Sequence, residues 1–395
     1  MKITIITKTI GALHGASQSG VDLILACNQT INKVTVVHRY GSKLPNSIDN
    51  YKFKKLKVYK AAKNFTIQKK INLKKIKRWV DSKLFDFFRN KKIDQINSEL
   101  VIVNSISGHV IFKNNKYQDR KCEVLVVRES PRHFEFKTNE KNAIEKAIHM
   151  MKQYKKYIFV SSNVLNEWKN ILNLKETQCT YIPNCAHEKE INEILKFDRK
   201  KIKMNYKLSN NNFNISCVAS VQYRKGQDII IDMLEKLKNK IPNIKIHFIG
   251  NYQKNDSYYL KLINHPNYKK YSSCIKFWGK RKDACKLVYA SDLFLFPTRA
   301  EAFPRVILES MALKIPIVSS NVDGIPEMLN QKNSILFSHD NYNQMIEGVE
   351  CLFNNPNLGQ SIANNASKIY WNEYSRKQQI IRISNFLEKI NLEIK

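Results

Sequence analysis

The sequence of 395 residues is poor in the features that mark several common classes of protein. No segment approaches the run of about eighteen apolar residues that a membrane-spanning helix requires. There is no Cys-x-x-Cys pair, no Asp-x-Asp triplet and no cluster with metal-ligand spacing, so neither a disulfide miniprotein nor a metal site is indicated. Acidic residues are scarce as well: 34 Asp and Glu stand against 67 Lys and Arg, and the formal net charge is +33.

The apolar content is sufficient for two hydrophobic cores. Hydrophobic residues make up 43% of the chain, which is enough for two globular domains of ordinary size. The eight cysteines lie mostly in or beside apolar runs, which is typical of reduced core residues in a cytoplasmic protein. The opening stretch, MKITIITKTIGALHG, has an apolar part too short and too interrupted for a signal peptide, so we expect no leader.

The excess of positive charge favours anionic partners, and nucleic acid, an acidic membrane face and phosphorylated small molecules all remain open. The lysines are spread along the chain, so charge alone selects none of these. Residues 69–92 hold ten Lys or Arg, two Asp and apolar residues at helical spacing. They predict an amphipathic helix that either packs on its own sheet or lies on an anionic membrane surface, and the periodicity does not separate the two.

Short β-branched runs alternate with longer amphipathic stretches, which is the pattern of parallel sheets with crossover helices. We predict strands at residues 2–7, 34–38, 100–104, 123–128, 157–161 and 178–182, and again at 214–220, 244–249, 274–277, 292–296 and 315–319. The polar stretch 188–212 is interpreted as the connection between the two series. The predicted class is α/β, with two doubly wound parallel-sheet domains at 1–195 and 196–365 and C-terminal helices at 366–395. A ligand of such sheets binds at the carboxyl ends of the strands, in the cleft.

The most informative stretch is residues 294–313, FLFPTRAEAFPRVILESMAL. A strand ends near Phe296, and Pro304 suits the first turn of the helix that follows. The start of that helix leaves the backbone N–H groups of Arg305 and Val306 without helical partners, which makes it an anion site suited to a diphosphate.

Two glutamates flank this helix start. Glu301 precedes it in the loop, and Glu309 lies about 7.5 Å along the helix from Pro304. Two carboxylates at that separation suit different parts of one ligand, such as a ribose and a sugar ring on either side of the phosphates. For either residue alone, the alternative is structural: Glu301 complements the helix dipole and Glu309 is an exposed helix residue.

The Glu-x7-Glu phrase within this strand, loop and helix resembles the signature of the family 4 glycosyltransferases, which have the GT-B fold. The resemblance continues through the strand at 315–319, the turn Asp323-Gly324-Ile325-Pro326-Glu327 and a short apolar strand at 335–337. In the family the turn reads Gly-Gly-x-Pro-Glu, so Asp323 stands where the first glycine is common. The resemblance implies two Rossmann-like domains that face a central cleft, with the final helices crossing back onto the first.

The segment 218–226, VASVQYRKG, resembles the family's basic loop, in which an Arg and a Lys five positions later contact the donor diphosphate. Lys225 matches the Lys, Ser220 occupies the position of the Arg, and Arg224 is a neighbouring charge that can replace it. The alternative is an ordinary solvated Arg-Lys pair at a helix start, where cations are disfavoured.

Three loops of the first half are candidates for the other wall of the cleft. Gly15 and Ala16 follow the first strand, where the family closes a Gly-rich loop over the donor, and a plain tight turn is their alternative. The loops at 104–109 and 128–133 offer acceptor candidates, which are His109, Arg128, Glu129 and Arg132. Glu129 is suited to deprotonate an acceptor hydroxyl, or else to form an ion pair with a neighbouring arginine.

The activity that the resemblance implies is retaining transfer of a sugar from a UDP- or GDP-type donor to an acceptor hydroxyl, with no metal or other cofactor. Glu301 would contact the transferred sugar and Glu309 the ribose. The catalytic candidates are Glu301, Lys225, Arg224 and Glu129. The donor-binding candidates are Gly15, Ala16, Ser220, Lys225, Ala302, Phe303, Pro304, Arg305, Val306 and Glu309.

A basic enzyme with a cationic helix suits a glycan or lipid-linked acceptor at the inner face of the cell membrane, as in capsule or lipopolysaccharide biosynthesis, with the protein cytoplasmic and peripheral. Two other classes are open: a sugar-nucleotide epimerase of the same architecture and a basic nucleic-acid-binding protein. The Glu-x7-Glu phrase disfavours the epimerase. The positive charge is mostly Lys and no platform interleaves aromatic residues with Arg, so we expect no nucleic-acid partner.

Overall fold

The computed structural model describes residues 1–7, 20, 22–24, 27, 34–39, 56–61, 98–106, 109, 120–136 and 142–394. The predicted amphipathic segment 69–92 and the predicted donor-binding Gly15 and Ala16 lie outside these residues. Their assignments therefore stay predictions.

The first sheet has seven strands, all parallel, in the order β3-β2-β1-β4-β5-β6-β7. Its centre is apolar: β1, β4 and β5 are rich in Ile and Val and almost fully buried, as expected for strands covered on both faces. The strands are β1 (Ile3–Thr7), β2 (Val34–Arg39), β3 (Leu56–Ala61), β4 (Leu100–Asn104), β5 (Cys122–Val127), β6 (Lys156–Phe159) and β7 (Cys179–Tyr181).

The second sheet has six parallel strands in the order β10-β9-β8-β11-β12-β13. In both sheets the strand order reverses beside the first strand, which is the doubly wound arrangement. The strands are β8 (Phe213–Val218), β9 (Ile244–Ile249), β10 (Ile275–Gly279), β11 (Leu293–Phe296), β12 (Ile317–Ser320) and β13 (Ile335–Phe337).

Helices follow the strands in both halves. The first domain has α1 (Ala143–Met151) and α2 (Ser162–Leu172), and the connection has α3 (Glu188–Leu195) and α4 (Arg199–Asn205). The second domain has α5 (Gln227–Asp232), α6 (Leu234–Lys240), α7 (Ser257–Asn264), α8 (Pro266–Lys270), α9 (Ala284–Ala290), α10 (Arg305–Ala312), α11 (Ile325–Met328) and α12 (Tyr342–Asn354). Two final helices are α13 (Pro356–Ile369) and α14 (Arg376–Ile394).

The two-sheet α/β architecture predicted from the sequence is confirmed, with every predicted strand displaced by at most a few residues. One strand, β3, was missed, because its sequence LKVYKA alternates with lysine and has no turn signal at either end. The connection at 188–212 contains no strand, as predicted, but it is helical: Ile191 and Ile194 of α3 and Ile202 of α4 are buried. The predicted domain boundaries stay predictions.

The C-terminal helices cross back to the first domain, as the resemblance implies. The crossing occurs at a π-helical turn, Tyr370–Tyr374, between α13 and α14. In α14 the Gln379 side chain donates to the Pro183 carbonyl at 3.0 Å, and at its end Glu393 pairs with Lys156 at 2.8 Å. The last helix therefore spans the first sheet from its carboxyl end to its amino end.

Two further observations concern the chain as a whole. Among the described residues, no helix is both long and apolar enough to cross a membrane. All eight cysteines are free thiols and six of them are buried, in keeping with their prediction as core residues.

Candidate functional site

The candidate site lies at the carboxyl ends of β8 and β11, where the strand order of the second sheet reverses. Strands β8 and β11 are neighbours, with Leu293 opposite Ile215 and Phe294 opposite Ser216. Because parallel strands end at the same edge, the loops after β8 and β11 are adjacent although about eighty residues separate them. This is the switch point of a doubly wound sheet, where ligands of this architecture bind.

The loop after β8 presents two cations to one carboxylate. Residues Tyr223–Lys225 form a single 3₁₀ turn, and Gly226 follows with a left-handed φ of +73°. The Arg224 Nη1 atom lies 3.3 Å from Glu301 Oε1, and the Lys225 ammonium contacts the same oxygen. The side chains of Lys225 and Glu301 are only 12% and 19% exposed. The structure thus brings together three of the four predicted catalytic residues.

Burial governs the electrostatics of this cluster. It lowers the pKa of Lys225 well below its ordinary value, and the charge of Arg224 adds to the effect. Burial also lowers the pKa of Arg224 to about 10, against the charges of Asp323 and Glu129. Two partly desolvated cations that share one carboxylate make a strong anion site.

A buried ion pair holds the basic turn in place. The Arg299 guanidinium is bidentate to the Asp228 carboxylate at 2.8 and 2.9 Å, and it lies 3.9 Å from the centre of the Tyr223 ring. The backbone N–H of Arg299 donates to the Arg224 carbonyl at 2.7 Å. Neither charged residue is predicted from the sequence, because nothing in their spacing links α5 to the loop after β11.

The start of α10 has buried backbone, but its first side chain points elsewhere. Ala302, Phe303, Pro304 and Arg305 are buried and Val306 is partly exposed. The Arg305 guanidinium forms an ion pair with Asp22 of the first domain, and that carboxylate raises the pKa of Arg305 although burial acts to lower it. The predicted role of this helix start as a phosphate site therefore concerns its backbone and stays a prediction.

Of the remaining donor candidates, Ser220 and Glu309 lie apart from the Glu301 contact. Ser220 is exposed, and its carbonyl accepts a hydrogen bond from the Gln227 amide at 3.0 Å. Glu309 is partly buried and lies beside Cys285 of α9. Burial raises the pKa of Glu309 to about 7, Arg305 opposes the rise, and Glu190 adds to it.

The turn after β12 lies against the Glu301 loop and reaches into the first domain. Asp323 adopts a left-handed φ of +47°, and its carboxylate accepts from the Glu301 N–H at 2.8 Å. A Cβ atom on Gly324 would lie 1.7 Å from the Ala302 carbonyl oxygen, so only glycine fits there. The Glu327 carboxylate accepts from the Ser162 N–H at 2.9 Å, at the start of α2. The resemblance predicts this turn, but it does not predict the contacts of the turn with the first domain.

Two of the first-domain candidates, Arg128 and Glu129, are in contact: the Arg128 N–H donates to the Glu129 carboxylate at 3.1 Å. Arg128 donates to Asn104 at 2.7 Å and to Asn184 at 2.6 Å, and the Asn184 amide donates to the Phe303 carbonyl of the second domain at 2.9 Å. The Glu129 carboxylate accepts from the Ser105 hydroxyl at 2.7 Å. Arg128 is therefore a link between the domains.

The other two acceptor candidates differ in exposure. The Arg132 side chain is 41% exposed and its Nη1 atom lies 3.8 Å from Asp323 Oδ1. His109 is 2% exposed, and its ring is hydrogen-bonded to the Tyr154 hydroxyl at 2.9 Å. The acceptor roles of all four residues stay predictions, and the surroundings of His109 agree better with a core residue. Within the described residues, no group of three or more His, Cys, Asp or Glu is placed to hold a metal ion.

Comparison with known proteins finds similarity to glycosyltransferases, mostly in the second half of the chain. A model of the family Glycosyl transferases group 1 matches residues 212–355. The capsular polysaccharide biosynthesis glycosyltransferase CapM of Staphylococcus aureus is 29% identical over 192 residues, which are 46% of this chain and 48% of that protein. The chain spans about half the length of the curated relatives it matches.

Solved structures resemble the whole chain in fold. Anabaena HepE, solved in complex with UDP and glucose, has a TM-score of 0.74 at 19% identity and covers 98% of this chain and 99% of its own. WaaG, a glycosyltransferase involved in lipopolysaccharide biosynthesis, has a TM-score of 0.65 at 14% identity. The match covers 96% of this chain and 98% of WaaG. By the fold of both domains the chain is of the GT-B type, and the sequence of its second half, residues 212–355, is similar to the glycosyl transferases of group 1.

Proposed function

We propose that this protein is a retaining glycosyltransferase that moves a sugar from a nucleotide-sugar donor to an acceptor hydroxyl. The observation that carries the proposal is the Glu301 carboxylate held by Arg224 and Lys225 at the switch point of the second sheet. That site lies within the residues that match the glycosyltransferase family model. A cation pair beside a carboxylate suits a ligand that joins a diphosphate to a sugar.

The two cations have a defined task in this reaction. The bond between the anomeric carbon and the diphosphate oxygen breaks, so negative charge grows on the departing diphosphate. Arg224, Lys225 and the backbone at the start of α10 stabilise that charge in a site with little water. The negative charge of the ligand also favours the protonated form of Lys225, because it opposes the effect of burial on the pKa of that group. Glu301, released from the cations, contacts the transferred sugar.

The donor is a UDP- or GDP-sugar, and Glu309 holds its ribose. Support for a uridine nucleotide comes from HepE, which has been solved with UDP-glucose. The new bond forms between the anomeric carbon and the acceptor oxygen, and the hydroxyl proton must leave. We assign Glu129 as the group that receives it, and support comes from its charge, which acts on Arg224 across the cleft.

The acceptor is a glycan or a lipid-linked sugar of cell-surface polysaccharide assembly, and the protein acts at the inner membrane face. Support comes from the names of CapM and WaaG and from the net charge of +33. Residues 69–92 supply the contact with anionic lipid. Co-sedimentation with vesicles of anionic and of zwitterionic lipid tests this: binding to anionic vesicles alone is expected, and it should weaken with salt.

Transfer needs no metal, because the two cations of the basic turn take the place of one at the diphosphate. The test is transfer measured in EDTA and in added Mg²⁺ or Mn²⁺. Equal rates are expected. A rate that disappears in EDTA and returns with the metal contradicts this part of the proposal.

The function itself is tested by thermal stabilisation against UDP-, GDP-, ADP- and CMP-sugars, followed by product analysis with sugar acceptors. A shift of several degrees with one nucleotide is expected for the native protein and not for Lys225→Ala. Glu235→Gln, in an exposed pair with Lys270, is the control. Retention is read from the anomeric configuration of the product. Free epimerised nucleotide sugar without acceptor would establish an epimerase instead.

A further inference from the structure

Asp323 departs from the pattern that the rest of its turn follows. The family pattern has glycine at this position, and the backbone here has a left-handed φ of +47° that glycine adopts freely. Asp tolerates this region better than most residues, but still at a cost in free energy. Glycine would therefore adopt this backbone conformation at a lower cost in free energy. The presence of the Asp323 carboxylate must be explained by its contacts.

One oxygen of that carboxylate bridges the two domains. Asp323 Oδ2 accepts a hydrogen bond from the Ser130 hydroxyl of the first domain at 2.6 Å and from the Glu301 N–H at 2.8 Å. The Asp323 side chain is 1% exposed, and Ser130 is fully buried. Hydrogen bonds to a charged acceptor in a dry site are the strong ones, so this bridge fixes the Glu301 backbone relative to the first domain.

The next residue holds the same loop from its other side. The Gly324 N–H donates to the Glu301 carbonyl at 3.2 Å, so both backbone groups of Glu301 are bound by adjacent residues of one turn. The Asn163 amide of the first domain donates to the Asp323 carbonyl at 3.3 Å. The Glu301 loop, the turn and the first domain thus form one connected network.

Cationic side chains from both walls of the cleft act on the Asp323 carboxylate. Arg132 of the first domain lies 3.8 Å from Asp323 Oδ1, and this oxygen accepts no hydrogen bond from any described group. Arg224, on the second-domain side, interacts electrostatically with the same carboxylate. Asp323 is therefore attracted both to the predicted acceptor-side loop and to the basic turn.

We propose that Asp323 is a positioning residue that couples the loop of Glu301 to the first-domain loop of Ser130, so that Glu301 is aligned only when the cleft is closed. The proposal rests on the proposed glycosyl transfer, in which Glu301 contacts the transferred sugar. Without the Asp323 carboxylate, donor binding through Arg224, Lys225 and Glu309 remains. The alignment of Glu301 with a sugar and an acceptor does not.

The test compares Asp323→Gly, which restores the family's residue and relieves the backbone, with Asp323→Asn. We expect Asp323→Gly to lower kcat for transfer about 10-fold, because a small misplacement of one group costs this much. Its affinity for the donor should stay within about 2-fold, because the cations are untouched. The share of donor that is hydrolysed should rise, and Asp323→Asn should restore part of the rate. An unchanged kcat, or a donor affinity that falls as far as kcat, overturns the proposal.

Tyr370→Phe serves as the matched control, because it removes the buried hydroxyl contacts with the Ala186 N–H and the Glu188 carboxylate and leaves the Asp323 network intact. It should lower Tm without changing kcat. A second arm needs no activity: Tm is measured for Ser130→Ala, Asp323→Gly and the double variant. A double variant no less stable than the worse single variant supports the coupling, and additive losses contradict it. If the native protein transfers no sugar, the proposed function fails while this arm still decides the coupling.

Discussion

Arg299 and Asp228 are the residues on which the geometry of the basic turn depends. Their side chains are only 8% and 10% exposed, and the pair is closed by two short hydrogen bonds. Arg299 also donates through its backbone to Arg224, and Thr298 donates to the same carbonyl at 3.1 Å. An ion pair in this position stabilises the protein only while it is complete, because each partner is buried with the other.

Asp228→Asn should therefore be costly although it preserves the shape of the side chain. It leaves the Arg299 guanidinium buried without its countercharge, so we expect the free energy of unfolding to fall by about 3 kcal/mol. Unfolding in urea measures this. Glu235→Gln is the matched control: its pair with Lys270 is exposed and screened by solvent, so the loss should be much smaller than in Asp228→Asn. Equal losses in the two variants would mean that burial is unimportant here.

Glu309 gives the site a pH dependence whose sign follows from its surroundings. Its pKa is raised from 4.5 to about 7, so between those values the folded protein binds more protons than the unfolded chain. The stability of the native protein relative to Glu309→Gln should therefore fall as pH rises from about 4.5 to 7 and be constant above. Urea unfolding of both proteins across this range measures the difference. A difference independent of pH would show that Glu309 ionises at its ordinary value.

Donor affinity should change in the opposite sense. A ribose diol donates two hydrogen bonds to a carboxylate but not to a protonated acid, so binding should strengthen as Glu309 loses its proton near pH 7. Calorimetric titration with the nucleoside diphosphate of the donor measures the effect. The Glu309→Gln protein should bind weakly at every pH, and a native affinity that does not vary with pH contradicts the assignment to the ribose.

At the scale of elements, the loops after β8 and β11 touch so closely that one position admits only glycine. Gly226 has a φ of +73°, and a Cβ atom there would lie 1.9 Å from the Pro297 carbonyl oxygen. Gly279, at the end of β10, has nearly the same φ of +68°, but a Cβ atom there would meet nothing closer than Tyr252 at 4.0 Å. A comparison of the same substitution at the two glycines therefore separates the cost of backbone strain from the cost of close packing.

Gly279→Ala should lower the free energy of unfolding by about 1 kcal/mol, the cost of a left-handed alanine. Gly226→Ala should cost about 2 kcal/mol more, because a backbone carbonyl must move to admit the methyl group. Urea unfolding again provides the measurement. The displaced Pro297 should also weaken nucleotide binding in Gly226→Ala alone. Similar losses of stability in both variants would show that the loops can part freely.

The sequence predicted most elements because parallel strands buried on both faces are continuous apolar runs. Strands such as β4 (LVIVN) and β11 (LFLF) carry that signal in full. It fails for β3, an edge strand of the first sheet whose lysines break the run. It is also absent for α3 and α4, whose buried isoleucines are too few to show helical periodicity above the surrounding charges.

The candidate site was predictable only where one short phrase contains it. Glu301 and the basic turn were found by local motifs, and the adjacency of β8 and β11 then brought them together. The Asp228–Arg299 pair and the Ser130–Asp323 bridge join residues 71 and 193 positions apart. No local pattern encodes contacts of that kind, because they exist only after the chain has folded.

At the scale of the whole molecule, a carboxylate of one domain caps a helix of the other. The Glu327 side chain accepts hydrogen bonds from the Ser161 hydroxyl and from the N–H groups of Ser162 and Asn163, at the start of α2. A negative charge at a helix N-terminus is favourable, and here it is supplied across the cleft. Glu327 therefore adds to the other contacts between the domains, such as Asp323 with Ser130 and Arg305 with Asp22, while α14 joins the domains along its own length.

Glu327→Ala should weaken the contact between the domains on the cleft side without removing it, because the contacts of Asp323 with Ser130 and of Arg305 with Asp22 remain. Three donors at the start of α2 lose their acceptor, which costs the closed form about 2 kcal/mol, while α14 keeps the domains connected. Solution scattering of the free protein should show a larger radius of gyration than in the native protein, and a bound nucleotide sugar should reduce it, because the ligand contacts both walls. Glu373→Ala removes an exposed carboxylate that pairs with Arg382 of α14, and it should leave the radius unchanged. If Glu327→Ala scatters like the native protein, the cleft is kept closed by α14 and the remaining contacts, and the helix cap adds only stability.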